Sequence, residues 1–389
     1  MLKEFIYLFL IDLSGIPFQD NYKRYAETEP GYGASMLQAY VTAFNTKKDG
    51  KISEDLIKAI HQAAMHFDTH SKPGQYKDNH NRFPITRFET INSKKIIYNG
   101  YNVTNAGIDE FLRYWMVDNS SPILCFETKE NKDSSVNYVV WYDPNGFNLY
   151  KIMPSSLQHE IEELNLGFEE GLEIIHNLLA NEDYQCEINP MGDVPIAELP
   201  AIISAKMKLI IASYDKEIKQ AQFEDEKIAV IVKHAQRIEQ LHPFADGNTR
   251  TSYILINKLL RDYGFSLSLL MDPNRLNGCS ISELVQMVKQ GQTHYQQVIQ
   301  HEAGNLTLTA TEEIVKSIQL ITCLPQELHD INDETLVSSF INCVIQDMPE
   351  KTDTAVASNR YYFMSEKNTV VRAKVIEPLS LIEVLKLKI

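Results

Sequence analysis

His242, Asp246, Asn248 and Arg250 fall within one short run, His242-Pro243-Phe244-Ala245-Asp246-Gly247-Asn248-Thr249-Arg250. The run supplies a group that titrates near neutrality, a hard oxygen ligand, a flexible turn and a permanent cation. A histidine can take the proton of an attacking hydroxyl. An aspartate suits a magnesium ion that keeps most of its waters. An arginine grips two phosphate oxygens at once. Together these types point to phosphate chemistry.

Two helices must position them. Ile228, Ile231, Ala235, Ile238 and Leu241 recur at helical spacing up to His242, and Ile254, Leu255, Leu259 and Leu260 continue after it. The run is therefore a short loop that ends at the start of the second helix. Such a start offers unpaired N–H groups and the positive end of a dipole. Gly247 lets the backbone approach an anion, Asn248 is expected to cap the helix, and Phe244 is expected to peg the loop into the core.

At these residues the chain resembles the Fic family, whose signature reads H-x-F-x-[DE]-G-N-G-R-x-x-R. His242, Phe244, Asp246, Gly247, Asn248 and Arg250 fall in register. Thr249 stands where glycine is usual, and Tyr253 where a second arginine is usual. The resemblance implies a mainly α fold: a Fic-type helical core with a β flap. It also implies transfer of a phosphate-containing group, usually AMP from ATP, onto a Ser, Thr or Tyr hydroxyl of a target protein. Carried over, His242 is the base and Asp246 holds Mg2+. The backbone of Gly247, Asn248 and Thr249 forms an anion nest, and Asn248 and Arg250 hold the phosphates of the nucleotide. Tyr253 is expected to stack on the base or to bond a phosphate through its hydroxyl. The altered nest keeps UMP or phosphocholine transfer open, and so does a decayed scaffold that only binds proteins. Family members are often restrained by an [ST]-x-x-x-E-[GN] motif, which is not found here. An unrestrained enzyme of this kind resembles a bacterial effector, cytoplasmic or secreted into a host cell.

The wider pattern divides the chain into a catalytic part over 1–300 and a small helical and β (α/β) appendage over 301–389. Helices are expected at 35–45, after Ser53, at about 104–117, at about 167–181, and from Ile196 through Leu260. Ile123 to Phe126, Val136 to Trp141 and Phe147 to Ile152 read as strands of a small inserted β element at about 120–155. The extended stretch from Tyr76 to Ile91 is the first flap candidate, with 184–195 as its competitor. Either is expected to dock a target by adding a strand. Glu160, Glu162 and Glu163 read as a solvated helix.

The 389 residues are 44% hydrophobic and carry a net charge of −15, which argues against nucleic acid or an anionic membrane as partner. The five cysteines are widely spaced and read as reduced thiols. The apolar run Phe5 to Ile11 is too short to span a membrane, and Glu4 and Asp12 count against a leader. Asn45 to Ile52 looks like half a calcium loop but lacks the ligating carboxylates. His234, two helical turns before His242, reads as a core or surface residue.

Overall fold

Apolar residues three and four apart build the helices, and strands from Phe83 to Asn189 build the sheet. The computed structural model describes most of residues 29–303, with isolated positions on either side such as Phe9, Phe340 and Val344. Apart from such positions and the end of the last helix, the expected C-terminal appendage lies outside the described residues, as does the Phe5–Ile11 run except Phe9.

In chain order the elements are α1 (Tyr32–Phe44), α2 (Glu54–Ala64), β1 (Phe83–Arg87), β2 (Tyr101–Val103), α3 (Asn105–Val117), β3 (Ile123–Thr128), β4 (Asn137–Asp143), β5 (Gly146–Ile152), β6 (Ile161–Leu166), α4 (Phe168–Ala180), β7 (Tyr184–Asn189), α5 (Leu199–Gln220), α6 (Glu224–Leu241), α7 (Asn248–Asp262) and α8 (Ile281–Ala303). The molecule is mainly helical, as the sequence indicates. Ser53 caps α2 by accepting the Leu56 N–H at 3.1 Å, with Glu54 and Asp55 in the first turn. Ser280 and Glu283 form the expected reciprocal cap before α8.

The core lies where α6 and α7 pack on one another and on α1, α2 and α5. Ile228, Ile231, Ala235 and Leu241 of α6 are fully buried, as are Ile254, Leu255, Leu259 and Leu260 of α7. The half calcium loop is an ordinary turn. Lys258 and Arg261 of α7 donate to the carbonyls of Lys47 and Phe44, and Asp262 accepts the Gly50 N–H. Phe67, just past the end of α2, is 57% exposed and lies over Gly31.

The seven strands form one sheet in the order β2-β1-β7-β3-β4-β5-β6. Only β1 and β2 run parallel. Both flap candidates are therefore neighbours in the ladder that also contains the insert. β1 pairs with β2 on one side and β7 on the other, and β7 pairs with β1 and β3. Ile85 is paired on both sides and β7 is paired with β1 and β3, so strand addition is blocked at those paired residues, while 88–91 of the first candidate lie outside the described residues. The Glu162–Glu163 stretch is also corrected: it forms β6, because pairing with β5 supplies partners that local charge does not reveal.

Candidate active site

The loop from His242 to Gly247 joins α6 to α7 and is braced from three directions. Phe244 is fully buried as expected, its ring stacked on His61 of α2 at 3.7 Å with Tyr76 beside it. His61 bonds the Asp246 carbonyl at 2.9 Å through Nε2 and accepts the Gly74 N–H through Nδ1 at 2.8 Å. Those two bonds suit the neutral tautomer, and burial holds its pKa down to about 4. From the flap side, Lys77 N–H donates to the Pro243 carbonyl at 2.9 Å and Asn81 to the Ala245 carbonyl at 2.6 Å. Phe244→Ala is expected to cost about 3–5 kcal/mol of stability, readable by denaturant unfolding. A smaller loss would mean that the ring is not what pins the loop.

Asn248 is the third brace. Its amide accepts the Phe244 N–H at 2.9 Å and donates to the Phe244 carbonyl at 3.0 Å. The expected capping role belongs instead to Gly247, in the left-handed conformation with φ 69°. A Cβ there would lie 2.5 Å from the Met65 sulfur, so the position demands glycine on two counts. The first bond of α7 runs from Thr251 N–H to the Gly247 carbonyl at 3.1 Å, so the amides of Asn248 and Thr249 open at the helix start. The Gly247 N–H is taken by the carboxylate of Asp246 at 2.6 Å.

His242 ends α6 with φ 50°, a conformation that strains a side-chain-bearing residue. It is 6% exposed, and the ring of Phe83 from β1 lies tilted on it at 4.9 Å. Burial and the positive charge of Lys77 push its pKa well below the usual histidine value, so the imidazole is uncharged at neutrality. Asp246 is exposed on the loop surface, in reach of solvent ions. Arg250 donates to Glu29 at 2.8 Å and to the Met65 sulfur at 3.0 Å. The Thr249 hydroxyl is drawn inward to Glu239 at 2.8 Å.

Tyr253 is turned away from the loop. It is 5% exposed, edge-on to Tyr40, and its hydroxyl donates to the Ser268 carbonyl at 3.1 Å. The helix turns this position into the core, away from any phosphate at the start of α7. His234 is likewise interior, 3.5 Å from Glu217.

Four residues near the loop escape a reading of the sequence. Glu239, one turn before His242, is fully buried; it accepts from Thr249 and from Asn277 at 3.0 Å, and burial lifts its pKa to about 7. Its spacing from His242 was the available signal. His61, Lys77 and Glu29 carry no local signal, because their roles arise from contacts remote in sequence. A cleft of about 540 Å³ between Lys58, Tyr76, Pro200 and Ser204 contains none of the loop residues.

Residues 172–260, from within α4 into α7, match the Fic/DOC family. That stretch is similar to the Fic/DOC family. Over 108 residues, 28% of this chain, it is 36% identical to the phosphocholine transferase AnkX of Legionella pneumophila. The matched stretch is 11% of that protein, so the chain spans about a tenth of the length of this curated relative. The Fic/DOC match contains the loop, while α1, α2 and β1, which brace and cover it, lie before it. No helix among the described residues is long and apolar enough to cross a membrane.

Proposed function

We propose that this chain transfers a phosphate-containing group from a nucleotide donor onto a hydroxyl of a target protein. The observation that carries the reading is the convergence on one braced loop of an uncharged buried histidine, an exposed carboxylate and an open helix start. The acceptor oxygen forms a bond to phosphorus while the phosphoanhydride bond of the donor breaks. The hydroxyl proton passes to His242, and the rest of the nucleotide departs as a phosphate anion. The amides of Asn248 and Thr249 lie where a phosphate would sit. Asn248 acts by locking the loop rather than by reaching outward. Asp246 offers one carboxylate, which fits Mg2+ that takes its other ligands from water and donor phosphates; the ion would neutralise charge on the leaving group.

Two donors are in contention. ATP, giving AMP transfer, follows the family's habit. A CDP-linked alcohol, giving phosphocholine transfer, is favoured by the named relative and by Tyr253. With that residue in the core, the helix lacks the cation that a terminal phosphate cluster would face. A panel of labelled ATP, UTP and CDP-choline against host-cell lysate tests this. Labelling that depends on His242 supports the transferase, and the donor that labels names the group. No labelling by any phosphate donor would leave a protein-binding scaffold. We place its action inside a host cell, a reading supported by the similarity to a Legionella protein.

Arg250 reaches donor phosphates only when Glu29 yields. The pair is partly exposed, 16% and 38% at the two side chains, so its net worth is modest. Glu29→Ala is expected to tighten donor binding about two- to tenfold in calorimetric titration. Unchanged or weaker binding would mean that Glu29 does not compete for the guanidinium. This restraint comes from a residue outside any [ST]-x-x-x-E-[GN] motif, since Glu29 is followed by Pro30.

A further inference from the structure

Lys77 is the most anomalous charge in the described residues. It is 2% exposed, and its ammonium is buried with no hydrogen-bond partner among the described residues. The nearest carboxylate in sequence, Asp78, is turned outward to Lys72. The backbone of Lys77 is tied to the loop, its N–H donating to the Pro243 carbonyl at 2.9 Å. Its neighbour Tyr76 packs on Phe244, and its charge is felt by His242. The lysine therefore stands beside the base, on the side from which β1 covers it.

Burying an ammonium without a counter-charge costs several kcal/mol. Desolvation lowers its pKa only to about 8, so the group is still mostly charged at neutral pH. An apolar side chain of similar length would fill the space without that cost. A buried cation with no partner among the described residues, beside His242, fits an anion that arrives with the substrate. Tyr253 leaves the start of α7 without a second arginine, so a cation from elsewhere has a role to fill.

We propose that Lys77 is an anion-binding residue of this site and receives a phosphate oxygen of the donor beside His242. This rests on the transferase reading given above. On binding, the phosphate supplies the missing counter-charge, and the ammonium stabilises the negative charge that grows on the phosphate oxygens during transfer.

The test is an NMR titration of the whole chain, labelled at the ε-carbon of lysine and on backbone nitrogen, with inorganic pyrophosphate as probe. Pyrophosphate is expected to shift the Asn248 and Thr249 amides and to raise the Lys77 pKa by about one unit or more. Amides that respond while the Lys77 titration stays unchanged would overturn the role of Lys77 and leave the transferase reading standing. If neither responds, both readings fall. As an independent arm, Lys77→Met is expected to bind pyrophosphate about tenfold or more weakly. Because the variant removes a buried unpaired charge, it is also expected to melt at a higher temperature than the unaltered chain. Affinity equal to that of the unaltered chain would overturn the proposal. Should Lys77→Met fail to fold, the titration decides alone.

Discussion

His242→Ala is expected to lower transfer by ~10²–10⁴-fold while the fold and donor binding persist. The imidazole is buried and uncharged, so it is ready to accept a proton at neutral pH. Two features sharpen the expectation. The pKa is lowered by burial and by Lys77, so the acid limb of kcat/KM should lie below the ordinary histidine value of about 6.5. Loss of rate already near pH 7 would contradict a base held neutral in this way. The backbone of His242 also sits at φ 50°, where a Cβ is penalised. His242→Gly should therefore be more stable than His242→Ala by about 1 kcal/mol, though equally inactive. Equal stability of the two variants would mean that the loop relaxes when the ring is lost, and that the strain is not imposed by the fold. Transfer at the normal rate in either variant removes His242 as the base.

Asp246→Asn is expected to be nearly as damaging, by about 10³-fold or more, and to abolish the dependence of rate on Mg2+. The choice of asparagine matters. The Asp246 carboxylate accepts the Gly247 N–H at 2.6 Å, and an amide oxygen can keep that bond while the charge is lost. A loss seen with asparagine therefore reports on charge rather than on a collapsed turn. The side chain is exposed, so unfolding curves should hardly change. Rates are to be measured across a magnesium series with and without chelator. Full activity of the unaltered chain in excess chelator would remove the metal from the scheme, and Asp246 with it.

How much of this was legible in the sequence follows from the range of the interactions. The loop was legible because its chemistry is written in adjacent residue types, and its flanking helices because Ile228 to Leu241 and Ile254 to Leu260 keep helical spacing. Phe244 was legible as a peg, since an apolar residue inside a polar turn has few other uses. The strands of the insert were legible from their β-rich runs. β6 was not, because Glu162 and Glu163 say nothing about β5, their partner in the ladder. Asn248 was read as a cap for a similar reason. Its type fits a cap, but only the structure shows its amide clasping Phe244 across the loop. Tyr253 was assigned by alignment to a signature position. The signature presumes a side chain that faces the phosphates, whereas tyrosine here turns inward to Tyr40 and Ser268. Glu29, His61 and Lys77 reach the loop from well over a hundred residues away, and no local pattern marks them.

The sheet has a bearing on dissection of the molecule. The stretch from Ile123 to Leu166 reads as a module that could be excised to leave a minimal enzyme. Yet β3 is bonded along its length to β7, and β7 in turn to β1, the strand whose Phe83 lies over His242. Excision would strip one side of β7 and bare a row of unpaired amides and carbonyls next to the strand that covers His242. Bare edges of that kind recruit foreign strands and drive self-association. The stretch is thus part of the wall beside His242, and a shortened chain would need a replacement strand to keep that edge from pairing with other chains.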